Sequence, residues 1–230
     1  MFLKNTARIQ DLWPLFKKGW CAMKRKSWWC LLLVGLVTVV GCAKNDVPSK
    51  EKPGLVYDAV AVSRILGLPC ESNGPVPQAQ DGEIVVYYGG WDLKALRTCA
   101  AGEKRMGQEW EGSRSYESQW QAEKGYYRFL LPVPGSNYKS WSEQLQHLKG
   151  IDHAWKPAPV FVAATALLVH LTETGNDLLK GEACCCAEPL PPDGLRVALS
   201  IRGDCLRIYS RWDADSHFGN IFLSAARKVP

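Results

Sequence analysis

Nine cysteines, four histidines and one acidic cluster are the residues with which this 230-residue chain could do chemistry. The cluster is Asp213-Ala214-Asp215-Ser216-His217. Two carboxylates and an imidazole at alternate positions could face one way on extended chain and hold a divalent metal. Asp and Ser are also the residues expected in a polar turn between two strands. His147 and His153 are too far apart for one helix turn, and His170 sits in an apolar run where a packed histidine is the simpler reading. The chain lacks GxSxG, HExxH, a Walker loop and GxGxxG. A hydrolase would have to draw on Asp213, Asp215 or His217, and no nucleophile, base and orienting group can be assembled around them. No catalytic residue, metal or other cofactor is therefore assigned, and enzymatic activity is not expected.

The run Cys184-Cys185-Cys186 invites a soft-metal reading. Adjacent side chains on an extended chain point apart, so three consecutive cysteines make poor tetrahedral ligands. Together with Cys70, Cys99 and Cys205 they form an even set, which in an oxidising compartment argues for disulfides. The pairing expected is Cys70 with Cys99, and Cys205 with one of the 184–186 run. Spacing alone does not choose among the connectivities.

Between Gly107 and Arg128 there is no Leu, Ile, Val or Met. Trp110, Arg114, Tyr116 and Trp120 stand there amid Gln, Glu and Ser. Trp, Tyr and Arg are enriched at binding hot spots, so these four are candidate partner-binding residues. Trp110 and Trp120 could instead be platforms for the sugar rings of a cell wall. A third reading is aromatic-rich strands packed on the domain's own core.

The address of the chain is written in residues 31–42, LLLVGLVTVVGC, preceded by Lys24-Arg25-Lys26. The uncharged run of residues 28–42 falls short of the roughly 20 apolar residues that span a membrane. A basic region, a short apolar region and a small residue before the cut make a secretory signal. With a cysteine directly after Gly41, the signal resembles the lipobox of bacterial lipoproteins. That resemblance implies that Cys42 carries the lipid and becomes the mature N-terminus, a stable anchor if two or more acyl chains are attached. The residue after it is Ala43 rather than Asp, which in that family implies the inner leaflet of the outer membrane, facing the periplasm. Met23 opens a more ordinary signal than Met1 and is the expected start, although both starts could be used. Residues 1–41 then form the signal peptide, residues 42–54 a lipidated flexible tether that is polar with two prolines, and residues 55–230 one globular domain.

Of the 28 basic and 23 acidic residues, seven basic and one acidic lie in residues 1–41, which leaves 21 and 22 beyond them. The remainder is nearly neutral and lacks the basic field that nucleic acid requires.

The clearest element is a hairpin. Leu195, Val197, Leu199 and Ile201 alternate with Arg196, Ala198, Ser200 and Arg202, the period of a half-buried strand. Gly203-Asp204 predicts a type II′ turn, which sets Ile201 opposite Leu206 and Leu199 opposite Ile208. A third strand is expected over 220–225. Further strands are expected over 83–88 and 126–131, and residues 160–171 lean towards strand although long enough for a helix. Ser140-x-x-Glu143 predicts a capped helix through Leu148, and residues 55–68 are ambiguous. The fold class expected is β-rich α+β, a single mainly antiparallel-sheet domain.

A short tether, then Val56-Tyr57, an early Cys70, a strand over 83–88 and the stretch Phe129-Leu130-Leu131-Pro132-Val133-Pro134 is similar to periplasmic lipoproteins that serve as immunity proteins to type VI secretion effectors. The resemblance implies a lipid-anchored protein that binds a secreted toxin. The segment 71–81 and the triple cysteine depart from that pattern. The alternative is a structural or peptidoglycan-binding lipoprotein.

Overall fold

Residues 160–174 hold the architecture together. The computed structural model describes residues 54–72, 74–107, 120–190, 195–212 and 215–230. Within it, Val160–Thr174 is an α-helix, not the strand towards which its Val, Phe and Thr residues lean. All twelve residues from Val160 to Leu171 are buried. An apolar run of that length, apolar on every side and rich in Ala and Leu, is satisfied by a helix surrounded by protein. β-Branched residues disfavour this only weakly once tertiary burial decides.

The elements in order are β1 (Leu55–Tyr57), α1 (Ala59–Leu66), β2 (Ile84–Tyr88), α2 (Leu93–Thr98), α3 (Ala100–Arg105), β3 (Gly125–Leu130), α4 (Trp141–Ile151), β4 (Lys156–Pro157), α5 (Val160–Thr174), β5 (Ala183–Leu190), β6 (Leu195–Arg202), β7 (Cys205–Trp212), β8 (Ile221–Leu223) and β9 (Ala225–Lys228). One sheet runs β1-β2-β3-β9-β4 and the other β7-β6-β5-β8. Only the β1–β2 and β5–β8 pairs are parallel. The fold is therefore α+β with two mainly antiparallel sheets. Helix α5 lies against β2 of the first sheet and against β5 and β7 of the second. The main core joins Val86 and Phe129 on one side of it to Cys184, Val197, Leu199 and Leu206 on the other.

The β6–β7 hairpin has the predicted register, with Ile201 opposite Leu206 and Leu199 opposite Ile208. Its turn differs from expectation. Gly203 and Asp204 both have positive φ, 55° and 60°, which is the type I′ pattern rather than II′; Asp tolerates the left-handed region almost as an Asn does. Ala198 and Ser200, expected to face water, are buried. The strand expected over 220–225 divides into β8 and β9, one in each sheet. Ser224 makes the crossing, donating its N–H to Cys185 O at 3.0 Å and accepting from Ala158 N–H at 2.8 Å. Helix α4 starts where predicted and carries the full capping box between Ser140 and Glu143, then runs on to Ile151. The ambiguous residues 55–68 resolve into β1 and α1, with Asp58 capping the helix through Ala61 N–H at 2.7 Å.

Candidate partner-binding groove

Burial consumes Cys99, His170 and the three consecutive cysteines among the groups that sequence marks as reactive. Cys184, Cys185 and Cys186 occupy the middle of β5 and are each fully shielded. Cys184 and Cys186 join the core around α5, whereas Cys185 joins a second core with Trp141, Leu148 and Leu223. A strand covered on both faces needs small apolar residues at consecutive positions, and cysteine behaves as one. Desolvation pushes the Cys184 thiol up to about 12 and the other two well above their usual value, which suppresses thiolate chemistry.

The expected disulfides are not formed: all six described cysteines are free. Register shows why Cys205 cannot reach the triplet. Cys205 lies opposite Arg202, and Cys184 lies opposite Leu199 on the other side of the same strand. Two strand spacings and three residues along the sheet separate them by roughly 14 Å, against an upper limit of about 7 Å between bridged Cα atoms. The other thiols serve the backbone. Cys70 Sγ donates to Ala59 O at 2.8 Å, and Cys99 Sγ accepts from Gly102 N–H at 3.2 Å as the cap of α3.

His170 is buried, with its Nδ1 2.7 Å from the Tyr57 hydroxyl, tying α5 to β1. Burial lowers its pKa and raises that of Tyr57. His217 Nε2 pairs with Glu143 Oε2 at 3.0 Å on the surface. Asp215 is exposed, and Asp213 lies outside the described residues. No group of three ligand side chains suited to a metal occurs among the described residues.

Trp120 corrects the recognition-loop and sugar-platform readings at its position. It is only 9% exposed, and its ring packs on Phe161 of α5 at 6.0 Å. Tyr126 and Tyr127 are likewise buried on β3. Trp110, Arg114 and Tyr116 lie outside the described residues, as do Cys42, Met23 and the tether up to residue 53.

What remains open is the edge of the first sheet. Among the described residues, strand β1 pairs with β2 alone. Leu55 N–H donates inward to Glu83 O at 3.0 Å, so the alternation of a parallel pair turns the backbone N–H and C=O of Val56 outward. Leu55, Val56, Val60 and Val76 are four of the seven large apolar side chains exposed among the described residues, and Val60 is 76% exposed. Val60 and Val76 line one groove of about 460 Å³ with Asp58, Cys70, Glu71 and Tyr126. Its floor is firm: the Tyr126 ring meets Tyr87 edge-on at 5.0 Å, and the Tyr87 hydroxyl donates to Glu71 O. Sequence reasoning missed Val60. The signal existed in α1, where Ala59, Val62, Ile65 and Leu66 form the buried face and leave Val60 as an apolar residue on the solvent face.

Two buried carboxylates have structural work. Glu83 pairs with Arg128 beneath the sheet and lies 3.8 Å from Arg227. Glu188 of β5 accepts the Val160 N–H at 2.9 Å, filling the place of a side-chain cap that Pro159 cannot supply. Desolvation raises Glu188 to about 7.

Comparison of the chain with known protein families, with characterised proteins and with solved structures returned no match.

Proposed function

We propose that the protein is a lipid-anchored periplasmic interaction protein, most concretely an immunity lipoprotein that binds a secreted toxin, held through Cys42 at the inner leaflet of the outer membrane. The observation that carries the binding part is the apolar edge: Val60 and Val76 exposed in one groove, with Leu55 and Val56 exposed on the two faces of the edge strand β1. Clustered apolar exposure of this kind marks interaction sites rather than ordinary surface. An open strand offers backbone pairing as well. At the groove itself Asp58 caps α1 and the Cys70 thiol donates to Ala59 O, which leaves recognition as the chemistry this surface supports best.

A photo-crosslinking residue at Val60 of the full-length chain, in its native envelope, tests the reading. One dominant adduct with a secreted or envelope protein is expected, absent from a control at the exposed Arg202. Equal labelling at both positions, or none, overturns it. The anchor is tested separately: labelled palmitate should enter the chain and be lost on Cys42→Ser.

A further inference from the structure

A second surface, on the opposite use of exposed side chains, is built around Tyr138. This residue has φ 55°, a left-handed conformation that a bulky aromatic residue adopts only when its surroundings impose it. Its N–H donates to Phe218 O at 3.0 Å. Its ring lies over the backbone of Gly219, so closely that a Cβ there would fall 2.3 Å from the ring. Any side chain at position 219 would displace it. The ring is nonetheless 70% exposed, so one side rests on glycine while the rest faces water. Such a ring is held in place without being covered.

Planar and charged groups surround it. Glu143, Gln146 and His147 project from one face of α4 at the i, i+3, i+4 spacing. With Tyr138 and Lys139 they line an open recess of about 400 Å³. Glu143 is fixed by three contacts through one oxygen: Ser140 N–H at 2.7 Å, the Ser140 hydroxyl at 2.9 Å and His217 Nε2 at 3.0 Å. His147 Nε2 is held 2.8 Å from Pro134 O. Among the described residues that line the recess Tyr138 is the one large aromatic and the others are donors and acceptors, so this lining lacks the apolar ring that seals a protein hot spot from water. It suits a ligand with one weakly apolar face and a rim of hydroxyls.

We propose that this recess is a saccharide site, in which a pyranose ring of a polysaccharide stacks on Tyr138 while Glu143, Gln146 and Lys139 take its hydroxyl or acetamido groups. The site is independent of the β1 groove. It moves the sugar-platform role from Trp120, which is buried, to a ring that is offered.

The test titrates the full-length chain with chitotetraose and, separately, cellotetraose by calorimetry, and measures co-sedimentation with purified peptidoglycan sacculi. Binding of chitotetraose and sacculi alone supports an acetamido-sugar ligand from the cell wall. Binding of both oligosaccharides supports a general pyranose platform. Tyr138→Gly suits the backbone conformation, so that variant should remain folded while affinity falls about tenfold. Tyr138→Phe should stay within about twofold, and Gly219→Ala should weaken binding like the loss of the ring. Failure of the unsubstituted chain to bind either oligosaccharide or sacculi at millimolar concentration, or undiminished binding by folded Tyr138→Gly, overturns the proposal.

Discussion

Replacing Glu188 with glutamine should make the domain more stable at alkaline pH and leave it nearly unchanged in mild acid. Glu188 is 8% exposed, and its carboxyl is raised from 4.5 to about 7, chiefly by desolvation. A carboxyl whose folded pKa lies above its unfolded value binds protons more tightly when folded. Stability from this group is therefore full below the unfolded pKa and is lost as pH rises through about 7. The interval of 2.5 between those values corresponds to about 3 kcal/mol in total, of which about 2–3 kcal/mol develops between about pH 5 and pH 8. Glutamine keeps an acceptor for the Val160 N–H, now 2.9 Å from the carboxylate, and never ionises. Urea unfolding at the two pH values reads the difference. The parent midpoint should fall on going to about pH 8, and that of Glu188→Gln should fall less, by about 1 M urea. Parallel pH profiles for the two proteins would refute the reasoning, because they would mean that Glu188 ionises in the folded state as easily as in the unfolded one.

Alkylation with iodoacetamide under native conditions should modify the half-buried Cys70 and Cys205 before Cys184, Cys185 and Cys186, as read by peptide mass spectrometry; early modification of the triplet would contradict its burial. Cys184→Leu should cost about 1–3 kcal/mol by overpacking the side of β5 that faces α5, whereas Cys184→Ala should cost less, measured by denaturant midpoint. Ser140→Ala removes the side-chain half of the capping box at α4, the acceptor of the Glu143 N–H, and leaves the Glu143 carboxylate on the residue-140 N–H; it should cost about 1 kcal/mol, with helix content otherwise retained by circular dichroism. Below about pH 6.5 the unfolded chain protonates His170 while burial keeps the folded imidazole neutral, so stability should decline with acid, and His170→Gln should flatten that limb.

Local rules were legible wherever one period or one cap decided the outcome. The β6–β7 register followed from alternation, and the start of α4 from Ser140 and Glu143. The turn at Gly203-Asp204 needed the φ of Asp204, which residue type does not disclose. Residues 160–171 were unreadable by period because burial on all sides erases it; only length could arbitrate. The triple cysteine suggests bonding chemistry because its two-sided burial depends on how α4 and α5 pack, which the spacing of the three residues does not disclose. The apolar edge proposed to bind a partner was least legible of all. Val60 counts as apolar in any composition, and only the helix that points it outward makes it a candidate. Trp120, by contrast, has a recognition residue's type and neighbours in sequence, and only the fold sets Phe161 against it.

The order β1-β2-β3-β9-β4 places one of the last described strands inside the first sheet, and Ser224 stitches it to β8 at the border of the second. Neither layer is complete before β8 and β9 arrive. A chain emerging from a ribosome would hold both sheets a strand short until residues 221–228 have followed. Products truncated before β8 would lack a strand from both layers, and quality-control proteases should remove them rather than let a shortened but working form accumulate.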